Sequence, residues 1–223
     1  MPGFIETFLN WQILVAVWPL LAQGIGVTLL LVVLILPLAI SGGLLLAVLH
    51  DLHVRPLRWV LVAYVDLLRS IPTLVLLIFI YYGLPFVGVD LPPILACTLT
   101  LALNGSSYFA EIFRAGLEGV PKGQREASRS TGLGWWQMMA YIVIPIGTRN
   151  VLPDLVSNSL ELIKETSIAS AVALQELLQS AQIAQGITYS PAPLVVAALI
   201  YLFALWPLVR VTSYLQSRAI GRL

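Results

Sequence analysis

Polar residues are sparse along this chain, and where they gather they divide it into apolar blocks. In residues 4–18, Phe4, Phe8, Trp11, Val15 and Trp18 recur at roughly helical spacing, with Glu6, Asn10 and Gln12 on the rest of the turn. That pattern predicts a helix lying at a membrane interface. Residues 20–49 are apolar and outrun the ~20 residues that one span needs, so kinking at Pro37 and at Gly42-Gly43 is expected. A polar break at 50–56 precedes a second block, 57–82. There Asp66, Arg69, Ser70 and Thr73 fall at i, i+3, i+4 and i+7, so they share one helix face, and Pro72 bends the helix. A short turn at 85–93 leads to the third block, 94–116. The fourth and fifth blocks are 152–174 and 194–214, separated by 175–193. The pattern predicts an all-α membrane protein, a helical bundle of about five transmembrane spans in a single domain, 1–223, with 1–18 as an interfacial segment.

Composition agrees with that reading. The chain is 59% hydrophobic and 10% charged, with a mean hydropathy of +0.92, whereas soluble domains carry about a quarter charged residues. A length of 223 residues leaves room for one bundle and little else, so no separate soluble catalytic domain is expected. A net charge of +1, with no basic stripe interleaved with aromatics, excludes nucleic acid as the main partner. Cys97 stands in an apolar run, so neither a disulfide framework nor a thiolate metal site is expected. The N-terminus has no positive charge before its apolar run and does not resemble a cleaved signal peptide, so it is expected to stay on the chain.

The basic residues orient the map. Arg55, Arg58 and Arg69 lie in or near the first inter-span loop. Arg114, Lys122, Arg125, Arg129 and Arg149 surround the loop between the third and fourth blocks, and Arg210, Arg218 and Arg222 sit at the C-terminus. Lys164 lies inside a span, and none falls in the N-terminal segment, in 83–93 or in 175–193. The positive-inside rule then puts the N-terminus outside and the C-terminus in the cytoplasm.

The loop between the third and fourth blocks is the most informative stretch. Residues 126–145 read EASRSTGLGWWQMMAYIVIP, and Pro121, Gly123, Gly132 and Gly134 cut the region into two short helical pieces, 122–131 and 135–142. A helix-turn-helix in a loop is a shape that another protein can grip. Its spacing resembles the EAA signature of ABC-importer permeases, in which Glu-Ala-Ala, three residues, Gly, nine residues and Ile-x-Leu-Pro follow one another. Glu126-Ala127-Ser128, Gly132 and Ile142-Val143-Ile144-Pro145 fall in that register, departing at Ser128 and Ile144. Arg69-Ser70-Ile71-Pro72-Thr73 and Tyr81-Tyr82-Gly83-Leu84-Pro85 look like the second span of polar amino-acid permeases in the same class, and the likeness runs over 24–214.

The resemblance implies the type I importer fold, with five or six spans per subunit and a second permease copy or paralogue. It assigns docking of separate ABC ATPase subunits to Glu126, Ala127, Ser128, Gly132, Ile142 and Pro145, in a coupling loop at 118–145. A solute-binding protein would meet the opposite side of a bacterial-type cytoplasmic (inner) membrane, and transport would follow alternating access. No cofactor is implied on this chain, ATP and Mg being bound by the partner ATPase. The translocated solute would be a polar amino acid, with glutamate or aspartate favoured by the look of 69–73 and of Ser213-Tyr214-Leu215. A permease for another small solute is the alternative.

The chain itself is not expected to be an enzyme. Gly116-Leu117-Glu118-Gly119-Val120-Pro121-Lys122 is the nearest approach to a P-loop and has the wrong spacing. An intramembrane hydrolase would need a nucleophile, for which Gly105-Ser106-Ser107 is the offer, and a base. His50 and His53 fall in a loop at a membrane face, which leaves a desolvated Lys164 as the base. A passive channel would have no use for the docking loop.

Two polar stripes complete the candidates. Asn104, Ser107, Tyr108 and Glu111 share a face of the third span, with Thr100 one turn before, and Ser157, Asn158, Glu161, Lys164 and Glu165 crowd the fourth. A charge at mid-bilayer costs ~2.5–3.5 kcal/mol on insertion scales, so these residues face a cavity or each other. One reading lines a substrate passage with them and with Asp66 and Arg69, Lys164 meeting a carboxylate and Glu161 or Glu165 an ammonium. The other makes Glu161 and Lys164 an internal pair that fixes helix packing. Glu111 and Glu165 are placed near the cytoplasmic and outer interfaces by a variant of the first. Trp135, Trp136 and Trp206 read as interface anchors.

Overall fold

The computed structural model describes residues 8–52 and 54–220, with side chains through Arg210. Among these residues every regular element is helical. In chain order they are α1 (Trp11–Asp51), α2 (Arg55–Ser70), α3 (Thr73–Ile78), α4 (Pro93–Glu118), α5 (Lys122–Ser130), α6 (Trp135–Met138), α7 (Ile144–Asn150), α8 (Leu152–Glu165), α9 (Leu177–Thr188) and α10 (Ala192–Ile220). Wide π turns occupy Phe79–Gly83 and Met139–Val143, and tight 3-10 turns occupy Leu84–Val87 and Thr166–Val172.

α1 departs from expectation. Asn10 caps it, its Oδ1 accepting from Gln12 N at 3.1 Å and Ile13 N at 3.2 Å. From there the helix continues for 41 residues, about 60 Å. Residues 11–18 are thus its first turns rather than a separate interfacial helix, and residues 1–7 of that expected segment lie outside the described ones. Pro37, Gly42 and Gly43 do not end the helix. Gly43 serves contact: a Cβ there would sit 2.4 Å from Phe109 Cβ, so the missing side chain lets α1 reach α4.

Among the described residues, Trp11–Asp51 and Ala192–Arg210 are long and apolar enough to cross a membrane. Arg55–Ser70 and Thr73–Val87 make a third candidate if the two count as one span. The break between them is where Pro72 predicts it, since Ile71 is extended at φ −92° and ψ 126°. The helix therefore stops at Ser70, and the expected stripe from Asp66 to Thr73 does not run along a single helix. The fourth block is also interrupted: α8 ends at Glu165, a 3-10 turn follows, and Ala173 closes it at φ +55°.

The chain forms two compact units. One comprises Met1–Ile35, Thr73–Leu101 and Leu160–Val211; the other comprises Leu36–Pro72, Ala102–Ser159 and Thr212–Leu223. The core of the first gathers Val17, Leu21, Leu177, Ala181, Ala184 and Ala197. Small alanines on α9 let it lie close to its neighbours, and Gly24 continues the contact, because a Cβ there would meet Ser180 Oγ at 2.5 Å. In the second unit α2 is held to α4 by polar bonds: Asn104 Nδ2 donates to Leu68 O at 2.9 Å, and the Tyr64 and Ser106 hydroxyls lie 2.9 Å apart. Further along α4, Gly116 crosses Gly147 of α7 backbone to backbone. A Cβ on Gly116 would lie 2.6 Å from Gly147 O, and one on Gly147 would lie 2.9 Å from Gly116 O.

Candidate functional site in the polar loop and the charged helix faces

The loop is built as two helical pieces, as its glycines predict. α5 ends in a Schellman closure: Gly132 N donates to Arg129 O at 3.0 Å and Leu133 N to Ser128 O at 3.3 Å. That closure needs a left-handed residue, and Gly132 takes φ +83°. No atom beyond its chain neighbours lies within 4 Å of where its Cβ would stand, so glycine is favoured here by backbone conformation alone and its outer side is open. The second piece starts at Gly134, whose N–H donates to Gln137 Oε1 at 3.0 Å. It does not stop at Ile142. A π turn at Met139–Val143 carries it into α7, with Pro145 near the start of that helix. Pro145 has no N–H to offer Tyr141 O, and a widened turn absorbs the missing bond.

Within this loop Glu126, Ala127, Gly132 and Pro145 are exposed, Ile142 is half-buried and Ser128 is buried. Ser128, which stands where the motif has alanine, donates its hydroxyl to Arg125 O at 2.7 Å. The substitution is therefore neutral in packing, because the added hydroxyl is satisfied within its own helix. Met138, Met139 and Val143 are buried beneath the loop, while Trp136 and Tyr141 are exposed.

Arg125 anchors α5 from its inner side. Its Nη1 lies 3.0 Å from Asp51 Oδ1, and its Nη2 donates to Leu117 O at 2.9 Å. Nearby on α4, Arg114 grips Glu111 with two bonds of 3.0 and 2.7 Å and reaches Glu118 at 3.0 Å. Arg69 lies over the Tyr108 ring, 5.2 Å from its centre, and 3.9 Å from Glu111. Arg58 Nε donates to His50 Nε2 at 2.9 Å; His53 lies outside the described residues.

The stripe on α4 therefore splits. Asn104 and Ser107 are buried, and their bonds go inward, Asn104 to Leu68 O and Ser107 Oγ to Asn104 O at 2.6 Å. Tyr108 is exposed and Glu111 half-buried, and both are in contact with Arg69. Asp66 is exposed on α2.

Glu161, Lys164 and Glu165, in the last turns of α8, belong to the first unit. Lys164 Nζ lies 2.6 Å from Glu161 Oε1, and the two side chains are 46% and 67% exposed. They form a pair, as i, i+3 spacing predicts, but not a buried one. Lys164 edges an open, largely apolar groove of about 440 Å³ with Tyr201, Leu202, Leu205 and Trp206. Glu165 is half-buried beside them.

Sequence reasoning missed Glu176. It is 0% exposed and caps α9, its carboxylate accepting from Leu178 N and Gln179 N at 2.8 Å and from the Tyr201 hydroxyl at 3.0 Å. Leu177 N donates to Thr28 Oγ1 and Glu176 N to Leu174 O, so all four free amides of the helix start are satisfied, and Ser180 N to Glu176 O begins the helical ladder. Burial pushes this carboxyl above the usual carboxylate range, against the pull of those donors. The available signal was Glu at a helix start with Gln three residues on, in a stretch whose lack of Lys and Arg drew attention instead.

The chain matches the family described as "Binding-protein-dependent transport system inner membrane component" over residues 39–221. It is 32% identical over 213 residues to a probable amino-acid ABC transporter permease protein, YckA, of Bacillus subtilis (strain 168), covering 95% of this chain and 92% of that one. It is 34% identical over 211 residues to a probable glutamine ABC transporter permease protein, GlnM, of the same organism, covering 94% and 98%. Among solved structures it is similar to an amino acid ABC transporter crystallised with histidines, at 33% identity and a TM-score of 0.81, covering 92% of this chain and 96% of that chain.

Proposed function

The chain belongs to the inner-membrane components of binding-protein-dependent transport systems and is an amino-acid importer permease; from that premise we propose that it couples passage of the solute to hydrolysis by a separate ATPase through residues 118–145. The observation that carries this reading is the loop itself. Glu126, Ala127, Gly132 and Pro145 keep the register of the EAA signature and stand exposed, on a scaffold of buried methionines. In the proposal ATP and Mg bind the partner, a second permease completes the assembly, and a solute-binding protein delivers an amino acid from the other side. The bundle has about five spans, with α4 and the helical segment from Leu152 supplementing the strongly apolar helices.

We place the loop in the cytoplasm and the turn at 85–93 outside, on the strength of the charge distribution. In a chain with Cys97 replaced by alanine, a cysteine at exposed Asp90 is expected to label in intact cells, and one at exposed Gly123 only after permeabilisation. The reverse pattern would reject the orientation.

For the passage we propose that Glu161, Lys164 and Glu165 of the first unit present the charges that a zwitterion lacks in a bilayer; in the second unit, taken by itself, Asp66, Arg69 and Glu111, with the neutral Tyr108 beside Arg69, are proposed as lining residues in their own right. The exposure of the Glu161–Lys164 pair supports this, since such a pair facing lipid would be costly. Asn104, bonded to Leu68 O, ties α4 to α2, while Ser107 bonds within α4. The test is ATP hydrolysis by the complex reconstituted with its ATPase and binding protein, screened across amino acids for the wild type and Glu161→Gln/Lys164→Met. Stimulation by one or a few amino acids is expected, with transport by the folded double variant reduced about tenfold or its preference changed. Wild-type uptake and preference in the double variant would remove the pair from the passage and leave selection to the binding protein.

A further inference from the structure

α5 offers most of its surface outward. Lys122, Gln124, Glu126, Ala127, Arg129 and Ser130 are exposed, while Arg125 and Ser128, three residues apart, face the protein. Ser128 bonds only to its own helix in that direction, so the polar grip on the rest of the unit falls to Arg125. Its guanidinium meets both carboxylate oxygens of Asp51, at 3.0 and 3.2 Å, and Leu117 O at 2.9 Å. The two side chains are 20% and 11% exposed, so salt and water screen the pair less than a surface ion pair.

Asp51 is the last residue of α1, a helix that continues without interruption back to Trp11. Leu117 is one residue from the end of α4. The planar fork of Arg125 fixes direction as well as distance, which a single-point ammonium does not. A displacement of α5 must therefore carry the ends of both helices with it or break these bonds.

We propose that Asp51 and Arg125 form the joint that hands a displacement of the coupling helix to α1, which makes both of them positioning residues for transport. This rests on the coupling reading above. A joint differs from a staple in what its loss does. Without a staple the loop comes away and the ATPase with it. Without a joint the ATPase stays and hydrolyses, but the stroke is not delivered.

The test uses the full complex in proteoliposomes and measures amino acid taken up per ATP hydrolysed, alongside the ATPase retained on purification. Arg125→Met and Asp51→Asn are each expected to retain the ATPase and its hydrolysis while uptake per ATP falls about tenfold. The double variant should fall no further than either single one, because both changes remove the same link. Arg125→Lys should lie between, keeping the charge without the fork. A wild-type uptake-to-hydrolysis ratio in Arg125→Met would overturn the proposal, as would loss of uptake and ATPase in equal proportion, or a double variant in which the two losses multiply. If Arg125→Met does not fold, Asp51→Asn and Arg125→Lys decide the question by the same ratio. Failure of the unmodified chain to retain any ATPase would instead overturn the coupling reading, and this proposal with it.

Discussion

Replacing Gly132 with aspartate is expected to abolish uptake while the protein still folds and inserts. The backbone at this position is left-handed, φ +83°, and closes α5 through the Arg129 and Ser128 carbonyls. Aspartate tolerates that conformation better than most residues, so the strain is about 1 kcal/mol, too little to unfold a domain. No atom beyond its chain neighbours lies within 4 Å of the new Cβ, so nothing inside the chain is displaced. The side chain and its charge would project from the exposed loop onto the face proposed to meet the ATPase. An unpaired charge at the centre of an interface costs ~2 kcal/mol or more, which is about a thirty-fold loss of affinity. Gly132→Ala carries the strain without the charge and should retain most of the uptake. The measurements are protein level and size-exclusion profile, ATPase retained on purification, and uptake. Normal uptake with normal ATPase retention in Gly132→Asp would end the docking reading.

The second large effect is structural. Gly116→Val should strongly destabilise the chain, because the backbone of α7 lies where the new side chain would go. The Cβ would fall 2.6 Å from Gly147 O and 2.9 Å from Val151 Cγ2. A flexible side chain could turn away, but a carbonyl cannot, so the two helices must separate. Overpacking costs ~1–3 kcal/mol in ordinary cores, and backbone contact puts this site at the upper end. With a melting shift of roughly 2–4 °C per kcal/mol for a chain of this size, a fall of about 6–12 °C is expected in detergent. Gly123→Ala is the contrasting change. Gly123 lies in α5 with open space around it, so alanine there should raise stability by up to ~1 kcal/mol. An unchanged melting temperature for Gly116→Val would show that the helices do not touch there.

The loop was legible in the sequence because its signals are local. A left-handed turn favours glycine at 132, a proline sits at the start of a helix, and a hydroxyl bonds its own backbone. The break after Ser70 was legible for the same reason, through Pro72. The close approach at Gly43 was not, because glycine in a helix carries no mark of which neighbour it meets, and only the neighbour decides. Gly43 faces Phe109, which is sixty-six residues away, and no local pattern reports that. The polar stripe on α4 was placed on one helix correctly, yet its period could not tell that Asn104 bonds inward to Leu68 while Tyr108 looks outward. Charge counting found segments without Lys and Arg and passed over Glu176, whose burial depends on Thr28 and Tyr201 arriving from distant positions.

The π turn at Met139–Val143 makes the spacing of the loop a ruler. A wide turn holds one more residue than a regular one, and one residue of α-helix is about 100° of rotation. The wide turn absorbs that residue and keeps Gly147 in phase with Gly116; narrowing it to a regular turn with the same number of residues would swing Gly147 that far around its axis, away from Gly116. The nine residues that separate glycine from isoleucine in this stretch are therefore measured against the helix crossing below the loop, and the surface above it inherits a length that packing has set.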